Sequence, residues 1–276
     1  MLSGAAAEAY RINDLADVVY ADDTLLLGTS SAHVEEFLHC VAKSGSSYGL
    51  QLHPDKLQLL QVNCKQSIRV DMEHSVDPTE SMTYLGSILA PKGHMSAELS
   101  RRIGMAKGEF RAIRQVWSHS NLSMRRKLEI FSALIGTKLL YSLAAGCFTK
   151  AELRRLDGFQ AKCLRAILGI AAPFISLISN ESVRRQASFQ SIFIKLSKQQ
   201  LLLLGRELRQ PDDQPLHRVS FVSPSMTPLV AAYMRRVGRP RQEFAPSALQ
   251  QAARLIGDST SVFQMVHQET EWKRYV

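Results

Sequence analysis

The chain has 276 residues, of which 45% are hydrophobic and 21% are charged, and this composition is typical of a folded, soluble protein. No apolar run reaches the roughly 20 residues that a membrane-spanning helix needs. The N-terminus has no basic region ahead of an apolar stretch, so a secretory signal is not indicated. These features predict an intracellular protein, in the nucleus or the cytoplasm, that is neither secreted nor embedded in a membrane.

The charge is divided unevenly along the chain. Residues 1–75 hold five Lys/Arg and ten Asp/Glu, residues 76–276 hold 29 Lys/Arg and 15 Asp/Glu, and the whole chain has a net charge of +9. A basic body behind an acidic front suits a protein that binds a polyanion in one part and cations in another. A basic surface that is merely solvated is an equally good interpretation of the charge alone.

The first element in chain order is a predicted β-hairpin. Residues 15–19 and 24–27 are short apolar runs on either side of Tyr20-Ala21-Asp22-Asp23, so the two aspartates fall at the hairpin tip. An Asp-Asp pair is also favourable turn chemistry in its own right. The tetrad is therefore compatible with both a functional site and an ordinary turn.

A helix and two extended segments are predicted after the hairpin. Ser30 or Ser31 can cap the helix, whose apolar residues recur at helical spacing. Residues 50–62 form an extended segment that contains Lys56, and residues 84–89 form one further short strand. This part of the chain is thus a small mixture of strands with one helix.

From residue 93 onward the pattern changes to amphipathic helices. Apolar residues recur at helical spacing in four stretches, and a fifth helix closes the chain; these are 103–117, 128–139, 153–167, 183–208 and 247–255. Residues 211–228 contain four prolines and predict a linker. The sequence therefore predicts an α+β fold in three parts, which are residues 1–92, 93–210 and 211–276.

The four cysteines form no C-x-x-C pair and have no regularly spaced histidine partners, which argues against a zinc site. We expect reduced and mostly buried thiols at Cys40, Cys64, Cys147 and Cys163.

Paired aspartates on a rigid hairpin are suited to metal-dependent nucleotide transfer. That reaction needs divalent ions to clamp the attacking and leaving oxygens, and carboxylates to hold the ions. Mg²⁺ prefers hard oxygen ligands and keeps water or phosphate oxygens in its other positions. Adjacent carboxylates repel each other unless a cation or water is near, which favours a metal site or an exposed turn at Asp22 and Asp23.

Several segments follow one another in an informative order. They are residues 17–24 with the Tyr-Ala-Asp-Asp tetrad, residues 48–56, the Tyr-Leu-Gly-Ser segment 84–87, the Arg-Arg-Ile segment 101–103 with Trp117, and residues 127–169. In this order they resemble the reverse transcriptases of non-LTR (LINE-type) retrotransposons over nearly the whole chain, although His53 stands where that family usually has Asn. The resemblance implies a partial polymerase palm, a small antiparallel sheet with the hairpin and one helix, followed by a mostly α-helical, thumb-like region.

The resemblance also implies roles for individual residues. Asp22 and Asp23 would bind Mg²⁺ or Mn²⁺, and Tyr20 would pack near the primer end. Lys56 would place a cation close to the incoming triphosphate, although an exposed strand lysine is an equal alternative. Gly86 would let the backbone approach the primer closely.

The palm site of this family needs another aspartate from an earlier strand. Asp14 and Asp17 lie on or beside the hairpin strand itself and cannot supply a ligand from across a sheet. Two carboxylates from one hairpin make at most half of a two-metal site. The sequence therefore predicts a fragment of an RNA-directed DNA polymerase that is inactive alone and binds metal only if the missing carboxylate is supplied. The alternative is a non-catalytic nucleic-acid-binding remnant.

Paired arginines in the helical part predict contacts with the phosphates of an RNA template and a DNA primer. Arginine suits phosphate because its guanidinium can donate two parallel hydrogen bonds. A solvated helix face is the alternative for each pair; the residues are Arg101, Arg102, Arg125, Arg126, Arg154 and Arg155. The oligomeric state is left open.

A separate basic segment, Arg-Arg-Val-Gly-Arg-Pro-Arg, spans residues 235–241. Its Gly-Arg-Pro core, with Arg239 and Arg241, resembles a hook that binds the minor groove of DNA. An ordinary basic linker is an equally good interpretation.

Overall fold

The computed structural model describes residues 15–62, 64, 66–71, 74–211, 214–222, 227–228 and 244–276. Contacts within the chain divide it into two units, Met1–His94 and Met95–Val276. Helices and small sheets are both present, which agrees with the predicted α+β class at this coarse level. Among the described residues, no helix combines the length and the apolarity that crossing a bilayer requires.

The predicted hairpin and the helix after it are confirmed. Strands β1 (Leu15–Tyr20) and β2 (Asp23–Gly28) pair antiparallel, with Tyr20 opposite Asp23 at the tip and Leu15 opposite Gly28 at the base. Helix α1 (Ser31–Ser46) begins after Ser30, which has the extended backbone expected of a residue that precedes a helix.

The remaining strands of the first unit are short and pair in twos. Strand β3 (Leu59–Leu60) pairs parallel with β6 (Pro78–Thr79), and β4 (Ile68–Arg69) pairs antiparallel with β5 (Ser75–Val76). The predicted single small antiparallel sheet is therefore replaced, in the described residues, by separate two-stranded ladders, one of them parallel.

The prediction of one strand at residues 84–89 is wrong. Strand β7 (Met82–Tyr84) turns back at Leu85-Gly86 into β8 (Ser87–Leu89). Both turn residues have positive φ, 47° at Leu85 and 70° at Gly86, and a two-residue turn of this kind matches the twist of the paired strands. Leucine is an unusual first residue for such a turn, which is why the prediction missed it although Gly86 suits the second position.

The first unit buries little of its apolar surface. Ile68 and Val70 are the buried hydrophobic residues among those described in it, and no residue of α1 is buried. Val19 is 61% exposed and Tyr48 is 84% exposed. The hairpin and the segment that follows α1 therefore present apolar side chains to solvent.

The second unit is helical. Its elements in chain order are α2 (Ser96–Ala112), α3 (Arg114–Ser118), α4 (Met124–Ile130), a π-helical turn (Phe131–Gly136), α5 (Thr137–Leu140), a 3₁₀ turn (Leu143–Ala145), α6 (Lys150–Leu168), α7 (Pro173–Ser176), α8 (Asn180–Gln186), α9 (Ile192–Leu208), α10 (Pro215–Ser220), β9 (Phe221–Val222) paired with β10 (Thr227–Pro228), α11 (Phe244–Ile256), α12 (Ser259–Val266) and α13 (Glu269–Tyr275).

Two of the predicted helices are interrupted. The stretch 103–117 breaks at Ile113, where φ is −100° and ψ is 25°. The stretch 183–208 breaks between α8 and α9, where Ser188 has a φ of 49°. The side chain of Gln160 holds this second break, since its amide donates to the Gln190 carbonyl and accepts from the Ile192 N–H, both at 2.9 Å.

The other helical predictions are confirmed or extended. The stretch 153–167 lies in α6, which begins with a capping box between Thr149 and Glu152 and ends at Gly169 in the left-handed conformation. The stretch 247–255 lies in α11. Helix α10 falls within the predicted linker, and α12 and α13 had no counterpart in the predictions.

Two apolar clusters form the core of the second unit, and α9 contributes to both. Its first half supplies Ile192 and Leu196 to a cluster with helices α2 to α6 and α8. Its second half supplies Leu201, Leu204 and Leu208 to a cluster with α11, α12 and α13. One helix therefore connects the two clusters.

Trp272 of α13 anchors the second cluster. It is fully buried, and its indole N–H donates to the Leu201 carbonyl at 3.1 Å. A Cβ atom added at Gly205 would lie 2.2 Å from the indole nitrogen, far inside any allowed contact. The indole therefore lies directly on the backbone of α9, and Gly205 is the residue that makes room for it.

The expectation of mostly buried cysteines is wrong for three of the four. Cys163 is buried, Cys40 and Cys147 are half-buried, and Cys64 is exposed, and none of the four forms a disulfide. Burial raises the pKa of the Cys163 thiol to about 12, so this thiol is unreactive at neutral pH.

Glu207 is a buried acid in the second cluster. It is 1% exposed, as is His217 of α10. Burial raises the pKa of the Glu207 carboxyl, while a hydrogen bond with the Ser220 side chain and the charge of His217 act in the opposite direction. The net result is a carboxyl that is more costly to ionise in the folded chain than in the unfolded one.

Replacing Gly205 with Ala tests the packing of Trp272. We expect the free energy of unfolding to fall by about 1–3 kcal/mol, because the new methyl group overlaps the indole. The matched control is Gly158→Ala in α6, where an added Cβ meets no atom within 4 Å. That variant should gain about 0.5–1 kcal/mol from its better helix propensity. Denaturant unfolding measures both, and equal stability of the two variants would contradict the contact.

Glu207 makes stability depend on pH. Its folded pKa lies above the ordinary value of 4.5, so its contribution to the free energy of unfolding is fully present below pH 4.5 and is lost as the pH rises through the folded pKa. We therefore expect Glu207→Gln to gain stability over the unmodified chain as the pH rises across that window, measured by denaturant unfolding at several pH values.

Glu269 provides the control for this pH dependence. The pKa of its exposed carboxyl is lowered, first by a hydrogen bond with Lys273, so Glu269→Gln should show the opposite trend with pH. A pH profile of Glu207→Gln that runs parallel to that of the unmodified chain would contradict the assignment.

Candidate carboxylate hairpin and basic surface

The hairpin tip is a two-residue loop made of Ala21 and Asp22. Ala21 has a φ of 52°, and positive φ at the first loop position suits the twist of the flanking strands. A non-glycine residue in this conformation costs about 1 kcal/mol or more. The ladder between β1 and β2 must therefore impose the turn, since the loop sequence does not favour it.

Both aspartates lie at this turn. Asp22 is the second loop residue, Asp23 is the first residue of β2, and both are exposed. Tyr20, the partner of Asp23 across the ladder, is 64% exposed. The tip thus presents two hard oxygen ligands and one aromatic ring to solvent.

Two ligands fill only part of a metal coordination sphere. In the part of the chain that the structure describes, no group of three or more His, Cys, Asp or Glu side chains is arranged to hold a metal ion. The donor chemistry of Asp22 and Asp23 fits Mg²⁺ or Mn²⁺, and water or further ligands must occupy the remaining positions.

Tyr84 ties the hairpin to the Tyr-Leu-Gly segment. Its hydroxyl donates to the Val18 carbonyl of β1 at 3.0 Å. This bond joins residues 66 positions apart and lies two residues before Tyr20. The sequence motif identified Tyr84, but no local signal indicated the partner of its hydroxyl.

Lys56 and Gly86 occupy turns. Lys56 is exposed at the end of a 3₁₀ turn (Pro54–Lys56) and not in the extended segment that the sequence predicted, because Pro54 starts the turn. No ion pair joins Lys56 to Asp22 or Asp23 within the described residues. Gly86 owes its conformation to the β7–β8 turn. Their roles near nucleotide and primer stay predictions.

The Arg101 and Arg102 pair is bound to an internal carboxylate. Glu98 is 1% exposed, and it accepts from Arg101 at 3.0 Å and from Arg102 at 2.5 Å. Arg102 is itself buried and lies over the ring of Tyr141, 4.4 Å from the ring centre. The Ser142 hydroxyl also donates to Glu98 at 2.9 Å. The charge of Arg102 is thus matched inside the fold.

The remaining predicted arginines of the helical part are exposed but differ in their partners. Arg125 and Arg126 both pair with Glu129, at 3.1 and 3.0 Å. Arg155 donates to the Ser100 hydroxyl at 2.8 Å. Arg154 has no hydrogen-bond or ion-pair partner among the described residues. Surface pairs of this kind are weak, so these side chains can exchange partners with phosphate at little cost.

Arg165 is a structural residue that the sequence did not single out. It is 5% exposed and donates to the carbonyls of Ala171 and Ile178, to the Ser176 hydroxyl and to the Asn180 side chain. These bonds fasten the loop between α6 and α8 from beneath. Its place in an apolar helical stripe was the only available signal. The basic segment with Arg239 and Arg241 lies outside the described residues.

Comparison of the chain with protein-family models, with curated proteins and with solved structures returns no match.

Tyr84→Phe tests the anchor of the hairpin. Loss of the hydroxyl should cost about 1 kcal/mol, a roughly fivefold change in a local opening equilibrium. Amide hydrogen exchange in β1 and β2 should accelerate by that factor. Tyr48→Phe is the control, since Tyr48 is 84% exposed and should leave the exchange unchanged. Equal exchange in the two variants would show that the Tyr84 bond does not stabilise the hairpin.

Proposed function

We propose that this chain is part of an RNA-directed DNA polymerase of the non-LTR retrotransposon type, in which Asp22 and Asp23 bind Mg²⁺ or Mn²⁺. The observation that carries the proposal is the hairpin tip itself, with two adjacent exposed carboxylates on a two-residue turn. The strand beneath that tip is fastened by the tyrosine of the Tyr-Leu-Gly segment. The order of the motifs in the sequence supports the same assignment.

The chemistry of the proposal limits what the chain does alone. Bound divalent ions stabilise the attacking and leaving oxygens of a nucleotide transfer. Asp22 and Asp23 hold such ions in place, and the ladder fixes the backbone of Asp23 opposite Tyr20. A further carboxylate from another segment completes the site, so the chain by itself binds the ions weakly and does not extend a primer.

The second unit supplies the nucleic-acid contacts in this proposal. Residues 95–276 contain 28 Lys/Arg and 13 Asp/Glu, a net charge of +15. The partners are an RNA template and a DNA primer, which are held through their phosphates. Such contacts position a strand without selecting its sequence.

A second candidate is a nucleic-acid-binding protein without catalysis. It is favoured by the excess of basic residues in the second unit together with the two-ligand limit at the hairpin. The two candidates differ in whether the hairpin binds metal ions specifically.

Titration with Mn²⁺ distinguishes the two candidate functions. We expect the NMR amide signals of residues 20–24 to broaden first, with a dissociation constant on the order of 10⁻³ M because few ligands are present. Replacing both aspartates (Asp22→Asn with Asp23→Asn) should abolish this broadening. Asp55→Asn is the control, since Asp55 is a 91% exposed carboxylate in the same unit.

Broadening that persists in the double variant, or that is equally strong around Asp55, would contradict the metal site and leave the non-catalytic candidate. We expect the purified chain not to extend a primer. Primer extension that is abolished by Asp22→Ala would contradict this prediction.

A further inference from the structure

A groove opens on the second unit where α6 meets α8 and the start of α9. It is shallow and largely open to solvent, with a volume of about 390 Å³. Lys150 and Arg154 lie on its α6 side, four residues apart and therefore one helical turn from each other. Leu153 and Phe193 give it an apolar wall.

The charge in the groove is positive and only partly compensated. Asp157 accepts two hydrogen bonds from Arg184, both at 2.8 Å, and one from the Ser191 hydroxyl at 3.1 Å. Arg184 therefore neutralises the acidic side chain that lines the groove. Lys150 and Arg154 have no ion-pair or hydrogen-bond partner among the described residues, so two positive charges remain available.

Arg154 differs in this respect from the other predicted arginines that the structure describes. Those other side chains are bound to Glu98, to Glu129 or to the Ser100 hydroxyl. The nearby Glu152 does not pair with Arg154, because residues two apart on a helix do not face each other. Its carboxylate accepts from the Thr149 N–H and hydroxyl in the helix cap, at 2.8 and 2.9 Å. The groove therefore contains two positive charges, on Lys150 and Arg154, that are not paired with a residue of the described part of the chain.

The ring of Phe193 indicates which kind of anion the groove binds. The side chain of Phe193 is 45% exposed, while its backbone N–H is fixed by the Ser191 hydroxyl at 3.2 Å. An inorganic phosphate would gain nothing from this ring. Sites for single-stranded nucleic acid combine cations that follow the backbone with aromatic rings on which bases stack. In a duplex the bases are already stacked on each other.

We propose that this groove binds single-stranded nucleic acid, with Lys150 and Arg154 on the phosphates and Phe193 under a base. The inference rests on the nucleic-acid partner of the proposed function but not on its metal site. The net charge of the helical unit indicates only that it binds nucleic acid. The groove indicates where the nucleic acid binds and that it is single-stranded.

Fluorescence anisotropy with labelled oligonucleotides of about ten nucleotides tests the groove, in EDTA so that metal binding at the hairpin plays no part. Lys150→Gln and Arg154→Gln should each weaken binding and reduce the slope of log K against log salt by about 0.7. Phe193→Ala should weaken binding at least about fivefold at every salt concentration. Single-stranded RNA and DNA are measured separately, and a loss with either supports the site.

The chain offers matched controls for both kinds of change. Arg185→Gln removes a 78% exposed arginine on α8 that pairs with Glu181, and Phe174→Ala removes an 81% exposed phenylalanine on α7. The proposal is overturned if the groove variants behave like these controls. It is also overturned if Phe193→Ala weakens binding of a duplex or of inorganic polyphosphate as much as binding of a single strand.

Discussion

The contact of Trp272 with the backbone at Gly205 fixes the position of α9, and much of the second unit depends on that helix. Ile192 and Leu196 pack the first half of α9 into the first cluster. The Trp272 indole, through its packing and its bond to the Leu201 carbonyl, holds the second half in the second cluster. Because interiors are close-packed, a helix held at both ends cannot rotate without opening two cores. Phe193 lies between Ile192 and Leu196, so its direction at the start of α9 follows from the packing of those two residues in the first cluster.

The basic residues of the second unit fall into two groups: buried ones that bond to other residues of the fold, and exposed ones. Arg102 and Arg165 are buried. Arg102 pairs with Glu98 of the same helix and lies over the Tyr141 ring, while Arg165 donates to backbone carbonyls of the loop after α6. Lys127 is also buried and donates to the Trp117 carbonyl at 2.8 Å, near the end of α3. Some arginines and lysines of this unit therefore stabilise the fold, while others carry charge on its surface. A net charge counts both kinds equally, whereas a polyanion meets only the exposed ones.

The features that could be predicted from sequence are those that local pattern determines. The hairpin around Ala21 and helix α1 rest on the spacing of apolar residues, and α6 rests on such spacing and on its capping box, all within a few residues. The break held by Gln160 could not be predicted, because it depends on a side chain thirty residues away. The same holds for the Tyr84 bond and for the burial of Arg102. At the candidate site, pattern predicted the position of the aspartates but not what fastens the strand beneath them.

The division of α9 between two clusters has a consequence for partial unfolding. Helices α11 to α13 cover only its second half, so release of Trp272 exposes Leu204 and Leu208 while Ile192 and Leu196 stay packed. Cooperative units of this kind open separately from the rest of a protein. The second half of α9 can therefore fray while its first turn, with Phe193, keeps its place on α6. The groove beside Phe193 can therefore keep its shape when α11 to α13 come away from α9.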